Sequence, residues 1–421
     1  MQTRTRAAEA AIPELFEETR ARTEALAAPL EIEDMVAQSM EDASPAKWHL
    51  AHTTWFFEEF VLRPNDPDYV SPDDRFAYLF NSYYVQAGPR FARTKRGLLT
   101  RPTVREVFAY RSAVDRAMAD LIGRGAAPLD LVELGCHHEM QHQELLLTDL
   151  LHLLSHNPLD PAYKAPAPAA LADPAPLVWH DFEGGLVEIG HDPSGSDGFA
   201  FDCETPRHPT YVAPFRLASR AVTNREWLAF MIDGGYRTAS LWLSDGWGVA
   251  EREGWEAPLY WHHEGDGAWT AFGLRGRQPV DPDAPVVHVS LYEADAFARW
   301  AGKRLPTEAE WELASAEAGP IQGTLLESGD LRPRPARTPG LAQMWGDVWE
   351  WTQSAYAPYP GFRPPAGAIG EYNGKFMANQ FVLRGGSAVT PAAQLRRTYR
   401  NFFYPFQRWQ LTGLRLAEDR A

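Results

Sequence analysis

A change in sequence character near residue 157 most limits how this chain can fold. Before it, apolar side chains recur at the intervals of amphipathic helices; after it, short apolar runs alternate with Trp, Gly and Pro. Residues 157–177 are rich in Pro and Ala, which is linker composition. Because 421 residues exceed one ordinary domain, we predict two domains, 1–156 and 178–421, joined by the linker 157–177.

The first part predicts an antiparallel four-helix bundle. Ser44 and Pro45 indicate a side-chain cap and a first helical residue. The connection 63–102 is long for a bundle, but its aromatic content favours an ordered loop. Helical periodicity covers four segments: 9–27, 45–62, 103–122 and 128–155.

The second part predicts an irregular α+β domain of short strands and long loops. Helical patterns are evident there only at 227–232 and 293–300. The fold class expected for the chain is therefore multi-domain, an α domain followed by an α+β domain.

Charge and cysteine content exclude several functional classes. Forty basic against 56 acidic residues give a net charge of −16, which argues against nucleic acid or an anionic membrane surface as the main partner. The two cysteines, Cys136 and Cys203, are too few for a disulfide scaffold or a four-cysteine zinc module. The sequence has neither a signal peptide nor a membrane-spanning apolar run. We expect a cytoplasmic protein, and its oligomeric state stays open.

Histidines concentrate in the predicted bundle. His138 and His142 are four residues apart, so they project from one face of a helix and form a usual half-site for a transition metal. The second predicted helix carries His49 and His52, of which at most one can face the core together with that pair. We predict a three-histidine metal site from two helices; the alternative is hydrogen-bonded core histidines.

The string His138-Glu139-x-x-His142 also matches the zincin protease motif, in which the glutamate is the general base. A zincin site needs a further ligand downstream, but a leucine-rich helical stretch follows here. The sequence therefore disfavours a peptidase.

Both histidine segments resemble a known family. Trp48-x-Leu50-x-His52 and the later His138-Glu139-x-Gln141-His142 are similar to the DinB-like bundle of the sulfoxide synthases of ergothioneine biosynthesis. The resemblance implies that His52, His138 and His142 hold Fe(II) as the cofactor and that His49 lies outside the site.

The second part resembles the fold of formylglycine-generating enzymes, and the pairing of the two modules is specific to the sulfoxide synthase family. True formylglycine-generating enzymes use a C-terminal cysteine pair, whereas this chain has no cysteine after Cys203. That activity is therefore excluded, and the fold is expected to form a substrate-binding wall. The matching strings are 221–227, 234–236, 300–312, 346–352, 383–387 and 413–415.

The resemblance implies an enzyme that joins the sulfur of cysteine to imidazole C2 of hercynine (Nα-trimethylhistidine), with O2 as oxidant, to give hercynylcysteine sulfoxide. Gln141 is expected to reach the hercynine imidazole, and Asn401 and Phe402 its amino-acid end. The alternatives are the same chemistry with γ-glutamylcysteine or a selenium donor, or a non-catalytic DinB-type metal-binding module.

Tyrosines supply the expected proton donor. Tyr83 and Tyr84 resemble the tyrosine pair of one subgroup of the family, and we prefer them as the catalytic pair. Tyr356 stands where another subgroup carries its catalytic tyrosine, so it is the alternative donor and an expected substrate contact.

The resemblance also bears on the sulfur donor. Family members that use γ-glutamylcysteine carry an Asp after the Asn–aromatic pair and an Arg four residues beyond it. Here those two positions are Phe403 and Gln407, and the nearest arginine, Arg408, is one residue beyond the expected position. We therefore predict cysteine, whose carboxylate Arg90 or Arg93 is expected to bind, with Arg93 preferred.

Overall fold

The computed structural model describes residues 6–167, 175–192, 198–265 and 267–420. Residues 168–174 of the predicted linker lie outside this part. The predicted domain boundaries at residues 156 and 178 stay a prediction. The described residues form two compact units: one from 6–159, 198–201 and 363–375, the other from 160–167, 175–192, 202–265, 267–362 and 376–420.

Helices dominate the first unit. A π-helical turn, Glu58–Leu62, continues α2 into α3. Helix α1 packs against α6, and α2 packs against both α5 and α6, so the predicted bundle of four long helices is confirmed. The helices are α1 (Arg6–Ala27), α2 (Ala46–Phe57), α3 (Arg63–Asn65), α4 (Phe76–Phe80), α5 (Val104–Gly123) and α6 (Leu129–Ser155).

Helix α2 is the centre of this bundle, because all twelve of its residues are buried. The predicted Ser44 cap is wrong. Pro45 occupies the N-cap position without a side-chain cap bond, and the Ser44 hydroxyl instead accepts a hydrogen bond from Arg96 at 2.9 Å. The connection 63–102 is an ordered loop, as predicted, with 3₁₀ turns at Val85–Ala87 and Arg93–Leu98.

The second unit is the predicted α+β domain. Its sheets have the strand orders β1–β4–β12, β2–β3, β5–β6–β7 and β10–β9–β8–β11, antiparallel except for the β8–β11 pair. Helices α8 and α10 are additions to the two predicted ones. The elements are β1 (Trp179–Phe182), β2 (Gly185–Ile189), β3 (His208–Val212), β4 (Phe215–Ala218), α7 (Asn224–Ile232), α8 (Ser244–Glu253), β5 (Trp261–His263), β6 (Trp269–Gly273), β7 (Gly276–Pro279), α9 (Leu291–Trp300), α10 (Glu308–Ser315), β8 (Trp349–Ala355), β9 (Phe381–Arg384), β10 (Asn401–Phe403), β11 (Thr412–Gly413) and β12 (Ala417–Asp419).

The most specific string of this domain builds its fold. Thr307 and Glu310 form a capping box that begins α10, each side chain satisfying a backbone N–H at the helix start. Arg304 pairs with Glu310 at 2.7 Å, and the Trp311 ring is buried. The 300–312 string is therefore explained by structure alone.

In the part of the chain that the structure describes, every helix is too short or too polar to cross a bilayer.

Candidate metal centre

Three histidines from α2 and α6 converge in the first unit. One ring nitrogen from each of His52, His138 and His142 lies within 4.8 Å of the others. The Nε2 atoms of His52 and His138 are 3.2 Å apart. His52 and His138 are buried and His142 is half-buried. The helical spacing that predicted this convergence explains it, since residues four apart share one face of α6.

Burial holds these rings in the neutral form. It lowers the pKa of His138 to about 3, and burial together with the neighbouring imidazoles lowers the pKa of His52 and His142 well below the usual value. The carbonyl of Phe80 accepts the Nδ1 hydrogen of His52 at 2.6 Å, so the Nε2 lone pair of His52 points to the cluster. Neutral imidazole is the form that binds transition metals.

The donor set fits a transition-metal ion. The cluster contains three imidazoles and neither carboxylate nor thiolate, which suits Fe, Co, Ni, Cu or Zn and not Mg or Ca. Aromatic rings pack around it: Trp48 stacks on His52 at 4.5 Å, and Phe56 lies 4.8 Å from His138. Aromatic rings packed in this way limit the access of water to the cluster.

Glu139 does not have the environment of a general base. It is fully buried, with Arg111 at 2.5 Å and Arg20 at 2.8 Å. Burial alone would raise its pKa, but the two guanidinium groups outweigh burial and lower the pKa to about 2. This carboxylate is therefore a structural anion of the bundle, which agrees with the sequence argument against a peptidase.

Gln141 has a partner that sequence reasoning missed. Its side-chain oxygen accepts a hydrogen bond from the hydroxyl of Tyr372. The Tyr372 ring stands edge-on to His138, with centroids 5.6 Å apart, and stacks on Phe201 at 5.4 Å. Tyr372 is thus part of the site, although no local pattern around it signals this.

Tyr83 and Tyr84 lie beside these residues, where the sequence expects a proton donor. Their rings stack at 4.7 Å, and they lie 6.2 and 6.4 Å from the Tyr372 ring. Burial, and then the Tyr83 hydroxyl, raise the pKa of Tyr84 well above its usual value. Tyr84 therefore carries its proton at neutral pH, and its buried hydroxyl is a weaker acid than that of an ordinary tyrosine.

The segment that supplies Tyr372 also contacts the loop that carries Tyr83 and Tyr84. The carboxylate of Glu371 accepts the backbone N–H groups of Val85 and Gln86 at 2.8 and 2.9 Å. Lys375 donates to the carbonyl of Tyr83 and pairs with Glu371 at 2.8 Å. The loop conformation consequently depends on residues 371–375.

Of three arginines in one loop, the two predicted to bind substrate are exposed. Arg90 and Arg93 face outward, and Arg93 donates to the carbonyl of Asp42. Arg96 is buried, and its guanidinium lies 3.3 Å from the Trp48 ring centre. It forms no ion pair within the described residues, and its Nε lacks a hydrogen-bond partner. Burial, and then the charge of Arg93, lower its pKa well below the usual value.

The remaining predicted contacts belong to the second unit. Tyr356 is buried and stacks on Phe402 at 4.1 Å. Asn401 accepts the backbone N–H of Phe402 at 2.9 Å. Burial, and then Cys203, raise the pKa of Tyr356 well above its usual value.

Arg408 is committed to other residues of the second unit. It donates to the buried carboxylate of Glu293 at 2.6 Å and to the carbonyl of Ala257 at 3.1 Å. Its guanidinium also lies 4.2 Å from the Trp255 ring centre. The side-chain oxygen of Gln407 accepts the backbone N–H of Tyr404 at 3.1 Å.

The chain is a two-domain protein with a candidate metal centre. Its helical bundle carries three converging histidines, and an α+β domain follows. Residues 15–146 match the DinB superfamily, and residues 181–336 and 328–420 match the sulfatase-modifying factor enzyme 1-like domain.

Two hercynine oxygenases align with 89% of this chain. The hercynine oxygenase of Mycolicibacterium thermoresistibile is 36% identical over 406 residues, which cover 89% of this chain and 87% of that protein. The hercynine oxygenase of Mycobacterium tuberculosis is 35% identical, covering 89% and 91%. The formylglycine-generating enzyme of Streptomyces coelicolor is 32% identical over 54% of this chain and 85% of its own. The chain belongs to the hercynine oxygenase family, which confirms the family predicted from the motifs.

Proposed function

We propose that this chain is a non-haem Fe(II)-dependent sulfoxide synthase that uses O2 to join cysteine to hercynine, giving hercynylcysteine sulfoxide. One observation carries the proposal: three neutral histidines converge in a chain 36% identical to a hercynine oxygenase over 89% of its length. The two free, buried cysteines, Cys136 and Cys203, suit action in a reducing cytoplasm.

The reaction balances without an external reductant. Forming the carbon–sulfur bond removes two electrons and two hydrogens from the thiol and the imidazole C–H. Oxidising the sulfur to a sulfoxide removes two more electrons. One O2 accepts all four, so that one oxygen atom enters the sulfoxide and the other leaves as water.

His52, His138 and His142 would hold the iron, which supplies the chemistry of O2 reduction and thiol activation. Gln141 would orient hercynine by donating its amide N–H to the imidazole, because its oxygen accepts from Tyr372. Tyr84, which stays protonated at neutral pH, would deliver the proton that reduced oxygen needs. Tyr356 is the second candidate for that role.

Arg96 is a stronger candidate than Arg90 or Arg93 for the carboxylate of cysteine. A buried guanidinium without an anionic partner is costly unless a ligand supplies the charge. Arg96 has that property, and its partner Trp48 stacks on His52. Arg93, in contrast, is exposed and bonded to the carbonyl of Asp42.

Cysteine is the preferred thiol. At position 407, where family members that use γ-glutamylcysteine carry an arginine, this chain has an uncharged glutamine. Phe403 and Gln407 replace the Asp–Arg pair, and Arg408 is held by Glu293. γ-Glutamylcysteine, a selenium donor or a purely metal-binding role are the alternatives.

The test is anaerobic loading with Fe(II), followed by O2 with hercynine and equal concentrations of cysteine and γ-glutamylcysteine, read by mass spectrometry. We expect hercynylcysteine sulfoxide as the main product. Consumption of hercynine with the dipeptide would replace the thiol assignment. No consumption with either thiol, or with a selenium donor in a separate reaction, would leave the metal-binding role. Arg96→Met should raise the KM for cysteine, whereas the matched Arg93→Met should not.

A further inference from the structure

His49 lies between a predicted metal ligand and a buried carboxylate. Its Nδ1 is 2.9 Å from Nδ1 of His142, and its Nε2 is 3.1 Å from Oδ2 of Asp149. His49 and Asp149 are 3% and 5% exposed, so water does not compete strongly for these bonds. His142 and Asp149 are seven residues apart on α6, two turns along one face, and His49 comes from α2.

When both rings are neutral, their hydrogen-bond partners fix the tautomer of each. A carboxylate only accepts, so the Nε2 of His49 must donate to Asp149. The Nδ1 of a neutral His49 then carries a lone pair, and the Nδ1 of His142, 2.9 Å away, must donate to it. A neutral His142 with its hydrogen on Nδ1 carries its lone pair on Nε2, as a metal ligand bound through Nε2 requires.

The carboxylate at the end of this chain is itself fixed. Oδ2 of Asp149 also accepts the backbone N–H of Ser44 at 2.8 Å, two residues before α2 begins. The start of α2, the His49 ring and α6 are thus linked through one oxygen atom. Ligand imidazoles in metal sites usually depend on such an outer hydrogen bond for tautomer and orientation.

We propose that Asp149 and His49 act as positioning residues that hold His142 in the Nδ1–H tautomer and aim its Nε2 into the metal site. The inference rests on the proposed metal site and adds two residues that do not bind the metal. His49 lies outside the three-histidine cluster, as the resemblance implies, yet its ring contacts one member of that cluster.

Co(II) binding to the apo-protein measures this role without turnover. His49→Leu removes both hydrogen bonds and should weaken Co(II) binding about 10- to 100-fold, with a changed visible absorption spectrum of the bound ion. His49→Gln is the matched control, because glutamine keeps one acceptor and one donor, and it should restore most of the affinity. Equal weakening in both variants would indicate packing alone and would overturn the proposal.

Asp149 gives a second pair of variants. Asp149→Asn keeps an oxygen acceptor for Ser44 and His49 and should bind Co(II) nearly as the wild type does. Asp149→Leu removes the acceptor and should bind more weakly. Thermal unfolding monitored by circular dichroism identifies variants that fail to fold. Wild-type affinity in both folded Leu variants, at positions 49 and 149, would refute the role.

The wild-type protein loaded with Zn(II) provides a test that needs no folded variant. Two-bond ¹H–¹⁵N correlation spectra should show His142 protonated at Nδ1 and metal-bound at Nε2, and the opposite tautomer would overturn the proposal. If the wild type binds neither Co(II) nor Zn(II), the metal centre itself is wrong, and the positioning role fails with it. Metal binding with an unaffected tautomer in His49→Leu would reject the positioning role alone.

Discussion

The hydroxyl of Tyr372 donates a hydrogen bond to the side-chain oxygen of Gln141, although the two residues are 231 positions apart. Gln141 lies on α6 between two metal-ligand candidates, His138 and His142. Tyr372 comes from the 363–375 segment, which belongs to the same compact unit as α6. A side chain that is expected to orient hercynine is therefore itself oriented from a distant part of the chain.

The first prediction tests that orientation. Tyr372→Phe removes one hydrogen bond worth about 0.5–1.5 kcal/mol, so the KM for hercynine should rise about 2- to 10-fold while the KM for cysteine and the Fe(II) content stay unchanged. Steady-state kinetics with each substrate varied in turn gives the answer. Tyr211→Phe, at an exposed position, is the control. An increase in both KM values would mean that the ring positions more than Gln141.

The second prediction concerns the ligands. His52→Ala should abolish stoichiometric Fe(II) binding and activity, because two imidazoles leave a half-site. His156→Ala, at an exposed position of the same unit, should retain both. Metal analysis after desalting provides the measurement, and full iron occupancy in His52→Ala would remove this residue from the ligand set.

The residues of the candidate site show how much of the structure the sequence alone can predict. Helix α6 spans Leu129–Ser155, and the pattern predicts 128–155, because the 3.6-residue period is a local property. The convergence of His138 and His142 is predictable for the same reason. The roles of Tyr372 and His49 are not, because each depends on a tertiary contact between distant positions.

The arginines show the same limit. Arg90, Arg93 and Arg96 occur in one short loop, and nothing in their local spacing distinguishes an exposed charge from a buried one. Burial of Arg96 depends on its packing over Trp48 of α2. Candidate anion-binding residues in loops consequently need the folded structure for their assignment.

The third prediction separates the tyrosines. Tyr84→Phe should divert turnover from the sulfoxide to simple oxidation of cysteine to its sulfinate, in which both oxygen atoms of O2 enter the thiol product. Tyr83→Phe should change the product ratio less, because Tyr84 is the fully buried member of the pair. Product analysis at matched Fe(II) content tests both. An unchanged sulfoxide yield in both variants would transfer the role to Tyr356.

The fourth prediction concerns Glu139 and stability. Glu139→Gln leaves Arg20 and Arg111 without their shared buried anion and should lower the free energy of unfolding by about 3–5 kcal/mol at pH 7. The exposed Glu17→Gln is the control. Urea unfolding measures both.

The pH dependence of that difference has a defined sign. The pKa of Glu139 is about 2 in the folded protein against an ordinary value of 4.5. Its stabilising contribution is therefore complete above pH 4.5 and is lost as the pH falls from 4.5 towards 2. The gap between wild type and Glu139→Gln should narrow over that range. A gap that stays constant from pH 7 to the acid limit would contradict the assigned pKa.

The last prediction concerns the choice of thiol. Cysteine should be converted in preference to γ-glutamylcysteine, because Phe403 and Gln407 offer no charge pair to the γ-glutamyl end and Arg408 is held by Glu293 at 2.6 Å. An unpaired buried carboxylate and ammonium would cost several kcal/mol. The double variant Phe403→Asp, Gln407→Arg should therefore gain turnover with the dipeptide, measured as kcat/KM for both thiols. Phe403→Asn, Gln407→Met is its uncharged control and should show no gain. Preferential use of γ-glutamylcysteine by the wild type would place its recognition on other residues.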